Sequence, residues 1–383
     1  MIYMDYNATT PIDERVLSAM LPYLKEEFGN PSSIYSLAQR ARKAVEEARE
    51  KLAKLLNANP NEIIFTSGGT ESDNFAIKGI AYAYQDKGKH IITSQIEHHA
   101  VLNTCKFLEK QGFQIAYLPV DRYGVVDLDA LEKSITPQTI LISIMFANNE
   151  VGTIQPIKKI GEIAKRHGVY FHTDAVQAVG KIPIDVKELG IDLLSLSAHK
   201  FYGPKGVGAL YVRKGVKISP IIQGGEQERG RRGGTENVAG IVGLGKAAEI
   251  AQEEMTEEGK RVRALRDELE RRLLERIPEV VLNGHPQNRL YNTLSICVKY
   301  VEGESMLINL DREGIYASSG SACTSGSLEP SHVLLAMGVP PEVAHGSLRF
   351  SLGKFNKEED VKRVSKVFPS IVEELRKISP FWE

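Results

Sequence analysis

Short apolar runs alternate with amphipathic segments through the first two thirds of the chain. Runs rich in β-branched residues occupy Glu62 to Thr66, Ile91 to Ser94, Ile115 to Leu118, Ile140 to Met145, Val169 to Thr173 and Leu193 to Ser197. Their length predicts strands. Between them apolar positions recur at helical spacing. Ser36 to Leu56 puts Leu37, Ala41, Ala44, Val45, Ala48, Leu52 and Leu55 on one face and stops near Asn57 and Pro60, which predicts a helix lying on a sheet. The alternation predicts βαβ units: an α/β fold with a mostly parallel sheet and helices on both faces.

From Asn237 to Ile277 the pattern is one long helix, charged after Glu253 and stopped by Pro278. It predicts the passage from a large domain into a smaller α+β domain, with 15–256 as the first and 1–14 plus 257–383 as the second. The charge clusters between Glu253 and Arg276 are expected to be a solvated helix face. No internal repeat or low-complexity tract interrupts this organisation.

Composition narrows the function classes. With 383 residues and 42% hydrophobic content, the chain can bury two cores. Its 48 basic and 49 acidic residues leave a net charge of -1, and no long basic block is present to track a phosphate backbone, so nucleic acid is not an expected partner. The opening Met1 to Thr10 carries Asp5 and Asn7 where a secretion signal needs a basic end and an apolar run, and no stretch stays apolar long enough to span a bilayer. A cytoplasmic protein without a membrane partner is expected. Three cysteines, Cys105, Cys297 and Cys323, give neither a disulfide framework nor a zinc site, so no resident metal is expected and a working cysteine would act alone, as a nucleophile.

Ligands of an open parallel sheet sit beyond the carboxyl ends of its strands, so the residues after each predicted strand carry the chemistry. Ser67-Gly68-Gly69-Thr70-Glu71 offers backbone N–H groups and a hydroxyl at a helix start, a phosphate cradle in type or simply a turn that needs glycine. Asp174 and Gln177 follow one strand; Ser197, His199 and Lys200 end another. Taken alone, Asp174 reads as a helix N-cap and Lys200 as an exposed strand-end charge. Together they supply what pyridoxal phosphate requires: an amine for a Schiff base, an acid for the ring nitrogen and a phosphate seat. His98 could lie on the ring and Asn149 could bond its phenolic oxygen.

Ser318 to Ser327, a run of small residues around Cys323, reads as a loop carrying a thiol. Cys105 and Cys297 sit in apolar helix and strand contexts and read as structural. Arg349 interrupts an apolar strand pattern, either as a fork for a substrate carboxylate or as a surface ion pair.

These residues, with Met4 to Thr10, Gly29-Asn30-Pro31-Ser32-Ser33, Thr66 to Asn74, Glu97-His98, Asn148-Asn149-Glu150, Asp174 to Gln177, Ser197 to Lys200, Arg229 to Thr235 and Ser318 to Ser325, closely resemble the cysteine desulfurases. These are fold-type I pyridoxal-phosphate enzymes of the class V aminotransferase group. The resemblance implies a seven-stranded, mostly parallel sheet and conversion of L-cysteine to L-alanine, with sulfur taken up by Cys323 as a persulfide. It assigns Lys200 to the Schiff base, Asp174 to the ring nitrogen, Gln177 and Asn149 to the phenolic oxygen and His98 to the ring face and to proton traffic. Gly69, Thr70, Ser197 and His199 would hold the phosphate, with Thr235 reaching in from the second subunit of a homodimer, and Arg349, with Asn149, would hold the substrate. The form of the thiol loop is similar to that of the long-loop branch. That branch supplies sulfur to iron–sulfur scaffold proteins or other acceptors, including those for tRNA thiolation, and in it Cys323 could serve as a transient cluster ligand. Tyr35 and Ala38 depart from the family's usual histidine and glycine, so a local change in packing is expected there. A lyase for selenocysteine or cysteine sulfinate, or an aminotransferase of the same fold, would share the cofactor residues without needing Cys323.

Overall fold

The computed structural model describes residues 1–319, 330–380 and 382. Among them are twelve strands: β1 (Ile2–Tyr3), β2 (Ile63–Thr66), β3 (His90–Ser94), β4 (Gln114–Leu118), β5 (Thr139–Ser143), β6 (Tyr170–Asp174), β7 (Leu193–Ser197), β8 (Gly208–Val212), β9 (Val280–Asn283), β10 (Thr293–Val298), β11 (Ile315–Tyr316) and β12 (Ser347–Ser351). Seven form the main sheet in the order β2-β8-β7-β6-β5-β3-β4. Neighbours from β7 to β4 run parallel, while β8 lies antiparallel to both β2 and β7. Every residue of β2, β3, β5, β7 and β8 is buried, as strands covered on both faces must be.

All six predicted strands are present, with ends within two residues of expectation. The sequence reading did not include β8, which follows Gly203-Pro204-Lys205-Gly206 so closely that its run merges with the turn. Asp174, expected just past a strand, is its last residue.

Helix Ser36–Leu55 buries the predicted alanine, valine and leucine face. It crosses the long helix Val238–Arg276 closely: a Cβ at Gly245 would stand 2.6 Å from the Cα of Ala48, so this crossing admits only glycine. The long helix starts where Asn237 accepts a bond from the Gly240 N–H, an N-cap arrangement. Its first half contributes Ile241, Leu244, Ala248 and Met255 to the core under the main sheet. Its second half gives Val262, Leu265, Leu269 and Leu273 to a separate core. That second core includes Ile2, Met4, Phe350 and Phe368, under an antiparallel sheet of order β12-β10-β9. Cys105 and Cys297 are both fully buried and unpaired. Tyr35 precedes helix Ser36–Leu55 and is exposed, while Ala38 is buried. No described helix is long and apolar enough to cross a membrane.

Candidate functional site

The carboxyl ends of β2, β3, β5, β6 and β7 open onto one cavity of about 310 Å³, within the usual size for a small-molecule site. It is lined by Gly69, Thr70, His98, Asn149, Asp174, Gln177, Ser197, His199, Lys200 and Arg349. Ten candidates scattered over 281 positions of sequence, from 69 to 349, are therefore brought to one place.

One wall suits an anion. Gly68 adopts φ 151°, reachable at low cost only by glycine, and starts helix Gly69–Tyr84. The first-turn N–H groups of a helix lack intrahelical acceptors and sit at the positive end of its dipole. A Cβ at Gly69 would come within 2.6 Å of Val176 Cγ2, so only glycine fits at this contact. Ser197 closes on the same turn, its Cβ 3.8 Å from the place a Gly69 Cβ would take. His199 Nδ1 pairs with Thr9 Oγ1 at 3.1 Å. Burial and the positive charge of Lys200 lower its pKa to about 4, so it is neutral at physiological pH.

Another part of the lining is acidic. Asp174 Oδ1 accepts the Val176 N–H at 2.9 Å; burial raises its pKa to about 6, against the lowering charge of Lys200. Asp73, which shares the lining, is pushed well up by burial and by Asp174, and Glu97 is pushed up to about 8 by burial. His172, packed between Ser143 Oγ and Ser195 Oγ at 2.8 and 2.9 Å, is held neutral by burial, its pKa near 3. It therefore gives these carboxyls no positive charge. A cationic ring nitrogen beside Asp174 is what this wall lacks and would accommodate, so pyridoxal phosphate fits the cavity at both ends. His98 accepts the Ala100 N–H on Nδ1 at 3.1 Å, which leaves its neutral proton on Nε2. Burial and the Lys200 charge lower its pKa to about 4.

Lys200 ends a short 3-10 turn after β7 and donates to the carbonyls of Asn7 at 2.6 Å and Ala8 at 2.7 Å. Gln177 Nε2 donates to the same Asn7 carbonyl at 2.9 Å. Asn7 also donates to the Asn149 carbonyl and to Thr293 Oγ1, joining the main sheet to the second core. Arg349 in β12 is 3% exposed. Its Nη1 donates to the Asn149 carbonyl and its Nη2 to Asp5 Oδ1, each at 2.8 Å. Its Nε is buried with no partner among the described residues, and the side chain lines the cavity. The surface ion-pair reading of Arg349 is thereby set aside.

Cys323 lies outside the described residues. Ser318, five positions before it, exchanges backbone bonds with Arg349, and Ser331 donates its hydroxyl to buried Glu150. Thr235 is exposed and does not line the cavity of its own chain. Asn7, Ala8, Asp73, Met145, Ala147 and Val176 line the cavity without having been singled out. Asp73 was findable, because it follows Gly69 by four residues and so shares its helix face.

The aminotransferase class-V family model matches residues 2–364. The chain is 63% identical over 379 residues to a protein named cysteine desulfurase IscS from Methanosarcina thermophila, covering 99% of this chain and 94% of the relative. A solved NifS-like protein superposes with a TM-score of 0.92 at 45% identity, covering 98% of this chain and all of that one. A structure of SspA in complex with cysteine superposes at 0.82 with 41% identity, covering 93% of this chain and all of SspA.

Proposed function

The chain belongs to the aminotransferase class-V family, among its cysteine desulfurases, and on that premise we propose how its own residues carry out the reaction. It is a pyridoxal-phosphate enzyme that releases L-alanine from L-cysteine and passes the sulfur on. Bound to Lys200, pyridoxal phosphate supplies an electron sink adjoining the substrate's Cα. In this reading Gly69, Thr70, Ser197 and His199 hold its phosphate, Asp174 keeps its ring nitrogen protonated, and Gln177 and Asn149 bond its phenolic oxygen. His98 covers the ring.

Arg349 grips the substrate carboxylate, its guanidinium already aimed by Asp5 and Asn149, which leaves the amino acid only one way to sit. Lys200 would take the Cα proton, and the carbonyls of Asn7 and Ala8 define where its amine rests. The neutral His98, its proton on Nε2, moves the proton exchanged with sulfur. The Cys323 thiolate bonds to the substrate sulfur as the Cβ–S bond breaks. Cysteine and thiol become alanine and a persulfide on Cys323, with sulfur and protons conserved.

The single observation that supports Lys200 and Arg349 as partners in one site is their shared cavity with Asp174. For Cys323 it is the pairing of Ser318 with Arg349, because five residues of chain span at most about 18 Å. We take 15–256 as the unit that seats the cofactor and 1–14 with 257–383 as the unit that brings Arg349 and Cys323. We further propose a homodimer in which the exposed Thr235 reaches the partner's phosphate. An iron–sulfur scaffold or another sulfur acceptor would be the downstream partner, and the reducing cytoplasm the compartment that keeps a persulfide usable.

The test is Cys323→Ala holoenzyme given cysteine and a thiol reductant. It should keep the cofactor's long-wavelength absorbance and lose sulfide release at least a hundredfold, whereas full sulfide release would remove Cys323 from the reaction. Alanine formation that depends on an added keto acid would instead identify an aminotransferase.

A further inference from the structure

Lys181 lies outside the set of residues that the reaction above uses, yet it is buried, 7% exposed, in a second small cavity that Lys200 also lines. Its Nζ donates to Gln177 Oε1 at 2.9 Å and approaches Asn7 Oδ1 at 3.5 Å. Gln177 in turn donates from Nε2 to the Asn7 carbonyl that also accepts Lys200 Nζ. Lys181 and Lys200 line one small cavity together with Tyr6, Tyr202 and Glu258. Among the described residues no carboxylate pairs with Lys181.

One consequence follows from donor and acceptor chemistry. The Asn7 carbonyl only accepts, so Gln177 turns its nitrogen toward Asn7 and its oxygen to Lys181. We propose that Lys181 is a positioning residue for the reaction, fixing which end of the Gln177 amide faces the cofactor.

Burial lowers Lys181 to about 7, and the charges of Lys200 and Arg349 add to the lowering. Asp174 is the negative neighbour of Lys200, and His98 and His199 are neutral by burial. Lys205 lies on the His199 side, and Glu258 is occupied by the Tyr202 hydroxyl at 2.7 Å.

The proposal rests on Lys200 being the residue that binds the cofactor, and the experiment separates the two. Holoenzyme is titrated with base while the cofactor's long-wavelength absorbance is followed, in the wild type, Lys181→Met, Lys181→Arg and Lys200→Ala. Lys181→Met frees the Gln177 amide to turn its oxygen toward the cofactor's phenolic oxygen, and should raise the pH midpoint at which that band is lost by about one unit, a tenfold change in the proton equilibrium. Lys181→Arg keeps a donor for the Gln177 oxygen and should leave the midpoint unchanged. This sorting by donor is not expected of a merely structural residue. If Lys181→Met does not fold, the arginine variant still decides, because a raised midpoint there overturns the proposal. A wild-type midpoint in Lys181→Met, or equal shifts in both variants, also overturns it. A long-wavelength band that survives in Lys200→Ala overturns it for the separate reason that Lys200 is misassigned.

Discussion

Replacing Arg349 with lysine isolates the role of its fork. The guanidinium spends Nη1 on the Asn149 carbonyl and Nη2 on Asp5, and leaves Nε without a partner in a side chain 3% exposed. Lysine keeps the charge that Asp5 needs but cannot hold Asp5, the carbonyl and a substrate carboxylate in one plane. The carboxylate then loses about one charge-assisted hydrogen bond, worth about 2 kcal/mol, which lowers kcat/KM roughly 30-fold. The carboxylate takes no part in bond breaking, so ground and transition states lose this bond equally and the change should fall mainly on KM. Alanine release measured against cysteine concentration, with holoenzyme of full cofactor content, reads both constants. An unchanged KM would refute the assignment, as would a loss confined to kcat.

Glu97→Gln should change how stability depends on pH. Burial raises the Glu97 pKa from 4.5 to about 8, so its stabilising effect is complete below pH 4.5 and is lost as pH climbs through about 8. The variant, neutral throughout, should gain on the wild type by roughly 1 kcal/mol per pH unit across that window, read by denaturant unfolding; a pH-independent difference would contradict the buried-acid reading. Arg49→Met should cost about 3–5 kcal/mol, because it strands Glu228, which accepts two bonds from Arg49 at 2.8 and 2.9 Å, both side chains being buried. Adding Glu228→Gln should recover part of that loss, and no recovery would show that the pair is not the cause.

The main sheet was legible because strands buried on both faces leave unbroken apolar runs, as in Leu193–Ser197, where five consecutive positions are buried. Strand Gly208–Val212 was not, since its short run merges with the Gly203-Pro204-Lys205-Gly206 turn before it. In the site, residues next to strand ends announced themselves: Asp174, Lys200 and the Gly68-Gly69 turn. Asn7 and Lys181 did not. Their significance lies in what they face across the fold, and a buried polar residue has the same letter as an exposed one. Asn7 acts through its carbonyl, held near Lys200 and Gln177 from more than 160 positions away, and backbone atoms carry no sequence signal at all. Arg349 was visible as a charge inside an apolar strand, but its partners Asp5 and Asn149 became apparent only when the N-terminus was seen beside β12.

The most direct measurement is peptide mass spectrometry of holoenzyme mixed briefly with cysteine and then alkylated. The expected result is one added sulfur on the peptide carrying Cys323, absent in Lys200→Ala and reduced in Arg349→Lys. Alanine formed at full rate with no sulfur on that peptide would contradict transfer from a Lys200-centred pocket to Cys323.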